Sequence, residues 1–285
     1  MHSALLKQSF TTSHNDAMIA AIECIVCDCA VAQEAFDACD TFAALFRTVS
    51  QSASTATHAE VCRVIVALLR GRGRASRLWC DVSGLSDGVR TICSAADAHS
   101  CEAAAELLDT LAAEMDESVA EMLRARGDLP IAVDQIAAVA PSHWCRVVLL
   151  SAVYRFILLA SEFRSTLCSK SVVRAAHAAM RESKDDFECG TIANAVGELV
   201  RGHGGNKAVF SCEATCTGLL RMAETAVEQD TVQVSFSFSP CLCVRCALDT
   251  CSPQDIAFLI SSLYNSSNNP SIHRSASVSE ALFIL

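Results

Sequence analysis

Apolar residues recur along much of this chain at three- and four-residue spacing, the mark of a helix with one buried face. Ala104, Leu107, Leu108 and Leu111 share such a face. The pattern predicts long helices over Ala59–Leu69, Cys101–Glu114, Arg146–Ser161 and Thr191–Arg201. Glycine follows two of them, Gly71 after the first and Gly202 after the fourth. Glycine takes positive φ without strain, so it closes a helix C-terminus readily.

The pattern also repeats. Residues 127–136 (GDLPIAVDQI) and 254–263 (QDIAFLISSL) carry apolar side chains at the same places: Leu129 with Ile256, Ile131 with Phe258, Val133 with Ile260, and Ile136 with Leu263. The strings lie 127 residues apart, close to three periods of 42 or 43. Steps of 43 back from Gly127 reach Gly84, opening GLSDGVRTIC, and Thr41, opening TFAALFRTVS. Those two share apolar positions at Phe42 and Leu85, Phe46 and Val89, and Val49 and Ile92. Forward steps reach Ser169, opening SKSVVRAAHAAM, and Cys212, opening CEATCTGLLRMA. Short helical pieces, Ser76–Ser83 and Glu117–Arg126, precede two of these anchors.

Each unit therefore reads as a short, a medium and a long helix in about 42 residues, an armadillo or HEAT period. One such unit is too small to bury its own apolar face, whereas stacked neighbours build a continuous core and a long surface. The expected organisation is a flexible N-terminus at 1–14, five to six units over 15–264, a polar linker at 265–279 and an apolar tail at 280–285.

The stretch ESVAEMLRARGDLPIAVDQI, Glu117 to Ile136, resembles the armadillo repeat: a short helix, a glycine turn, then a Leu-Pro opening of the next helix. Gly127 and Pro130 stand at the family's glycine and proline positions. The resemblance implies an all-α, right-handed superhelical armadillo-like solenoid acting as a protein-binding scaffold. In armadillo proteins that hold extended peptides, the longest helix carries a tryptophan and, four residues later, an asparagine. Aligned on that pattern, the corresponding positions here are Arg63 and Ala67, Glu106 and Thr110, Tyr154 and Leu158, and Asn194 and Glu198. Of these, Arg63, Glu106, Thr110, Tyr154, Asn194 and Glu198 are the candidate partner-binding residues. No repeat carries the Trp–Asn pair, and Trp79 and Trp144 fall elsewhere. The resemblance thus gives a row of positions without the family's peptide-holding chemistry.

Two segments depart from the helical pattern. TVQVSFSFS at 231–239 alternates strictly, as a strand does. NSSNNPSIHRSASVS at 265–279 is polar and of low complexity, and ALFIL ends the chain. A bare apolar end on a solenoid either folds back or meets a partner, including another copy of the chain.

Composition narrows the function. Hydrophobic residues are 52% and aromatics only 6%, which suits closely packed helices. Net charge is −10, with 22 basic against 32 acidic residues. That balance argues against nucleic acid as the main partner, because phosphate neutralisation by Lys and Arg supplies most of such affinity. The local exception is Arg70, Arg72 and Arg74, with Arg63 and Arg77 nearby, read as a solvated loop.

The seventeen cysteines lie within apolar helical runs and read as small buried residues of a reducing compartment. The expected location is the cytoplasm, with nucleus and mitochondrion left open. Cys24, Cys27 and Cys29, and Cys241, Cys243, Cys246 and Cys251, form clusters that lack knuckle spacing, so no metal is expected. GHGGNK at 202–207 lacks the phosphate-loop spacing and reads as a turn. No catalytic residue or cofactor is assigned. The most apolar run, Val147 to Ala160, is broken by Arg155 and falls short of the roughly 20 residues of a membrane span. The function expected is a protein-interaction scaffold, with an architectural subunit of a larger complex as the alternative and a nucleic-acid-associated scaffold third.

Overall fold

The computed structural model describes residues 12–26, 29–37, 45, 48, 55–69, 98–114 and 127–230. The arginine loop at 70–77, the anchors Thr41 and Gly84, the short pieces Ser76–Ser83 and Glu117–Arg126, the alternating 231–239 segment, the second cysteine cluster, the linker and the apolar tail lie outside these residues. Every regular element among the described residues is an α-helix, so the described part of the chain is all-α. The chain divides into two compact units, the first ending at Ala160 and the second starting at Ser161.

The first unit holds α1 (Thr12–Val26), α2 (Ala30–Asp37), α3 (Thr55–Leu69), α4 (Ala98–Glu114), α5 (Asp128–Val139) and α6 (His143–Leu159). The long helices pack in chain order, α1 on α3, α3 on α4, and α4 on α6. Two polar contacts fix the direction of the last pair. Glu102, near the start of α4, meets Ser142, the N-cap of α6. Further along, Asp109 of α4 meets Arg155 of α6 at 3.1 Å. The two helices therefore run the same way. Helix α5 packs on both of them, and α2 packs on α1.

The second unit holds α7 (Phe163–Leu167), α8 (Lys170–Glu182), α9 (Asp186–Val200), α10 (Gly204–Phe210) and α11 (Glu213–Asp230). Helix α8 packs on α11, and α9 touches α7, α8, α10 and α11. Here too a pair runs parallel: His177 and Met180 of α8 face Thr215 and Gly218 of α11 in the same order.

Local sequence chemistry sets the helix starts. Ser142, Ser169 and Asp185 each accept from the backbone N–H three residues on, satisfying a donor that the first helical turn leaves unpaired. Gly127 sits at φ 71 before α5, and Gly202 at φ 69 just beyond α9. Both are left-handed positions that favour glycine, and Gly202 closes its helix as the sequence predicts. Pro130 lies in the first turn of α5, where a missing N–H costs nothing.

Helix starts recur at a near-constant interval. The long helices α1, α3, α4, α6 and α9 begin at 12, 55, 98, 143 and 186, intervals of 43, 43, 45 and 43. Helices α5, α8 and α11 begin at 128, 170 and 213, intervals of 42 and 43. Burial follows the same interval. In α3, α4, α6 and α9 the seventh, eighth, tenth, eleventh, fourteenth and fifteenth residues are all buried. In α6 these are Leu149, Leu150, Ala152, Val153, Phe156 and Ile157. Each large apolar side chain so buried contributes about 1.5–3 kcal/mol.

Candidate functional site

The ninth residue of α3, α4, α6 and α9 interrupts that buried pattern. Arg63 in α3, Glu106 in α4, Ser151 in α6 and Asn194 in α9 are all half-buried polar residues. Each lies between residues that are buried, and is itself partly exposed. Arg63, Glu106 and Asn194 are therefore in matching positions, as the sequence alignment has them. Tyr154 is not: it is the twelfth residue of α6, half-buried, three residues beyond Ser151. Thr110 and Glu198 are thirteenth residues, and the α6 residue at that position is the exposed Arg155.

In the first unit the polar residues form a connected band. Arg63 is ion-paired with Glu60 on its own helix. The Glu23 carboxyl of α1 is held above its ordinary value of 4.5, chiefly by burial, then by a hydrogen bond with Glu60 and the negative charge of Glu60. Arg63 opposes the rise and Glu106 adds to it. Glu23, Glu60, Arg63 and Glu106 are thus electrostatic neighbours across α1, α3 and α4. Glu106 also acts on Cys145 of α6, whose thiol is pushed up to about 12 mainly by its own burial. The band continues through Glu102 to Ser142, whose hydroxyl also accepts from Cys145 N at 3.1 Å. It ends at Arg155, whose Nε lies 3.1 Å from Asp109 Oδ1 and 3.5 Å from Ser151 Oγ. Four of its carboxylates, Glu23, Glu60, Glu102 and Glu106, stand against Arg63, so α1, α3 and α4 present an excess of negative charge.

In the second unit Asn194 is half-buried, whereas Glu198 is nearly enclosed. Its carboxylate is held by Arg164 Nη2 and Arg201 Nη1, each at 2.9 Å. Asn206 of α10 completes this corner by donating from Nδ2 to the carbonyl oxygens of Arg164 (2.6 Å) and Leu199 (2.8 Å). Glu198 is therefore committed to holding α7 and α9 together.

Sequence reasoning passed over Glu23, Glu60, Glu102, Asp109, Ser142, Ser151 and Arg155. The available signal for Ser151 and Arg155 was their spacing from the serine N-cap at 142. A second polar group was also unseen: His177, Thr215 and Cys212, brought together by α8 and α11. Among the described residues no group of three or more His, Cys, Asp or Glu is placed to hold a metal ion. The nine described cysteines are all free thiols. No described helix is long and apolar enough to cross a membrane.

No family model and no curated protein matches this chain. Among solved structures, an engineered protein is similar over 99% of this chain and 86% of its own, at 11% identity and a TM-score of 0.42. The class of protein is thus drawn from the chain's own described residues, which are all-α, with long helices that start at intervals of 43 to 45 residues.

Proposed function

We propose that this protein is a protein–protein interaction scaffold, built as a right-handed armadillo-like α-solenoid of stacked units of about 43 residues. The partner is another protein, held in the first unit at the ninth residues of α3, α4 and α6. The observation that carries this reading is the half-buried polar residue at one position of four long helices, framed in each by the same six buried positions. A position kept polar where its neighbours are apolar contributes little to a core, and it is well placed to select a partner. The excess carboxylate on α1, α3 and α4 favours a partner with a basic contact surface. The reading assigns no catalytic step and no cofactor.

The test is photo-crosslinking of the full chain in its own cells, with benzoylphenylalanine at Ser151 in the row or at Arg174 on α8. The Ser151 probe should capture a defined protein that the Arg174 probe misses. Arg63→Glu with Glu106→Arg should abolish the capture while leaving the helical circular dichroism unchanged. Equal capture from both probes, or capture unaffected by the charge reversal, would remove the row as the binding surface.

A further inference from the structure

Cys212 differs from the other described cysteines in its surroundings. Cys62, Cys101, Cys145, Cys189 and Cys216 are buried, and Cys168 is half-buried with its thiol pushed up to about 11 by burial. Cys24 and Cys29 are exposed. Cys212 is half-buried at the start of α11, where its carbonyl accepts from Thr215 N and Cys216 N. Its Sγ lies 3.4 Å from Thr215 Oγ1 and 3.8 Å from His177 Nε2, and that nitrogen is 2.8 Å from the same hydroxyl. Thiol, hydroxyl and imidazole form a closed triangle.

The triangle is held from several sides. Thr215 is fully buried, so its hydroxyl has little freedom outside the cluster. The His177 ring meets the buried Phe210 ring edge-on, with centroids 5.9 Å apart and planes at 82°. Burial, and after it the Arg181 charge, keeps the imidazole below its ordinary 6.5. At neutral pH it is uncharged, and with its proton on Nδ1 the Nε2 lone pair faces Thr215 and Cys212. A nucleophile within hydrogen-bond reach of an oriented base is the arrangement that activates a thiol.

The geometry points to Cys212 as a site of reversible thiol modification by low-molecular-weight disulfides, with His177 as base and Thr215 as proton relay. In the step, Sγ attacks one sulfur of the disulfide and the bond between Cys212 and that sulfur forms. The Sγ proton passes to Thr215 Oγ1 as the threonine proton passes to His177 Nε2. The disulfide bond of the reagent breaks, and its leaving thiolate takes the proton from His177. The net change is one protein thiol and one disulfide giving one mixed disulfide and one free thiol, with no further oxidant. The adduct lies where α8 and α11 meet, so the same chemistry gives a redox signal access to the packing of the second unit.

The test uses the full chain, folded, with limiting oxidised glutathione near neutral pH, followed by acid quench, alkylation and peptide mapping. Cys212 should be modified at least about 10-fold faster than Cys24 and Cys29, general-base assistance being commonly worth about 100-fold or more. His177→Gln should slow Cys212 about 10-fold or more and leave Cys24 and Cys29 unchanged. Thr215→Val should slow it likewise, while Thr215→Ser keeps the rate; this pair decides the matter if the histidine variant misfolds. The proposal is overturned if Cys212 reacts no faster than the two exposed cysteines. It is equally overturned if its rate is indifferent to His177→Gln, or the same in Thr215→Val and Thr215→Ser.

Discussion

Gln33 and Arg164 make equivalent bonds in the two units. Gln33 Nε2 donates to the Ala67 carbonyl oxygen at 2.9 Å, and Arg164 Nε donates to the Glu198 carbonyl oxygen at 2.9 Å. Each donor belongs to a short helix, each acceptor is the thirteenth residue of the next described long helix, and each pair is 34 residues apart in sequence. Gln33 of α2 also reaches back to Val26 O of α1 at 2.9 Å, and Asn206 of α10 reaches back to Leu199 O of α9 at 2.8 Å. In each unit a side chain of a short helix thus satisfies a backbone group at a helix end or on another helix.

The two donors differ in charge, and their removal should differ in cost. Arg164→Ala strips the enclosed Glu198 carboxylate of one of its two cations, a loss of about 3 kcal/mol. Gln33→Ala removes two hydrogen bonds from a neutral side chain to backbone carbonyls, about 1–2 kcal/mol. Urea unfolding of both variants checks the order. A smaller loss for Arg164→Ala would mean that Arg201 alone satisfies the carboxylate.

Gly218 sits where α11 crosses Met180 of α8. A Cβ there would lie 2.8 Å from both Cβ and Sδ of the fully buried Met180. Alanine in a helix interior is ordinarily worth up to about 1 kcal/mol over glycine. The clash with Met180 Cβ, which has no rotamer to escape into, outweighs it by overpacking of about 1–3 kcal/mol. Gly218→Ala is therefore expected to lower the melting temperature, and by less in a Met180→Ala background.

Much of this architecture was legible in the sequence, and what was not has physical causes. The anchors Gly127, Ser169 and Cys212 each immediately precede a helix, because turn and capping residues signal helix starts directly. The long helices begin three to five residues earlier than their apolar periodicity indicates: at Thr55, Ala98, His143 and Asp186 against Ala59, Cys101, Arg146 and Thr191. Their first turns carry exposed or polar residues such as Trp144 and Phe187, so an apolar stripe starts late. Tyr154 was aligned in place of Ser151 because α6 is apolar around much of its circumference, which leaves a stripe too wide to fix rotation. The interval before α6 is also 45 instead of 43. The His177–Cys212 pair spans 35 residues and two helices, and no local pattern connects them.

Glu23 provides a pH test of the acidic band. Its folded-state value is raised, by burial first and then by Glu60, so the protonated form is the one the fold favours. The stability it contributes is present in full below its ordinary 4.5 and is lost as pH rises through the folded value. At pH 7 the carboxylate is thus a burden, with Glu60 and Glu106 repelling it and Arg63 relieving it in part. Glu23→Gln should melt above the wild type at pH 7, and the advantage should vanish as the pH is brought to 4.5 and below. A variant less stable at pH 7 would mean that the Glu23 charge is a net stabiliser.

The central claim is that one structural unit recurs about every 43 residues, with the same six positions of α3, α4, α6 and α9 in the core. Amide hydrogen exchange of the full chain, read by overlapping peptides, tests this most directly. Buried, helically bonded amides exchange only on opening. The account predicts protection maxima over 61–69, 104–112, 149–157 and 192–200, separated by faster-exchanging stretches at the same interval. Protection confined to one segment, or maxima without that interval, would contradict it.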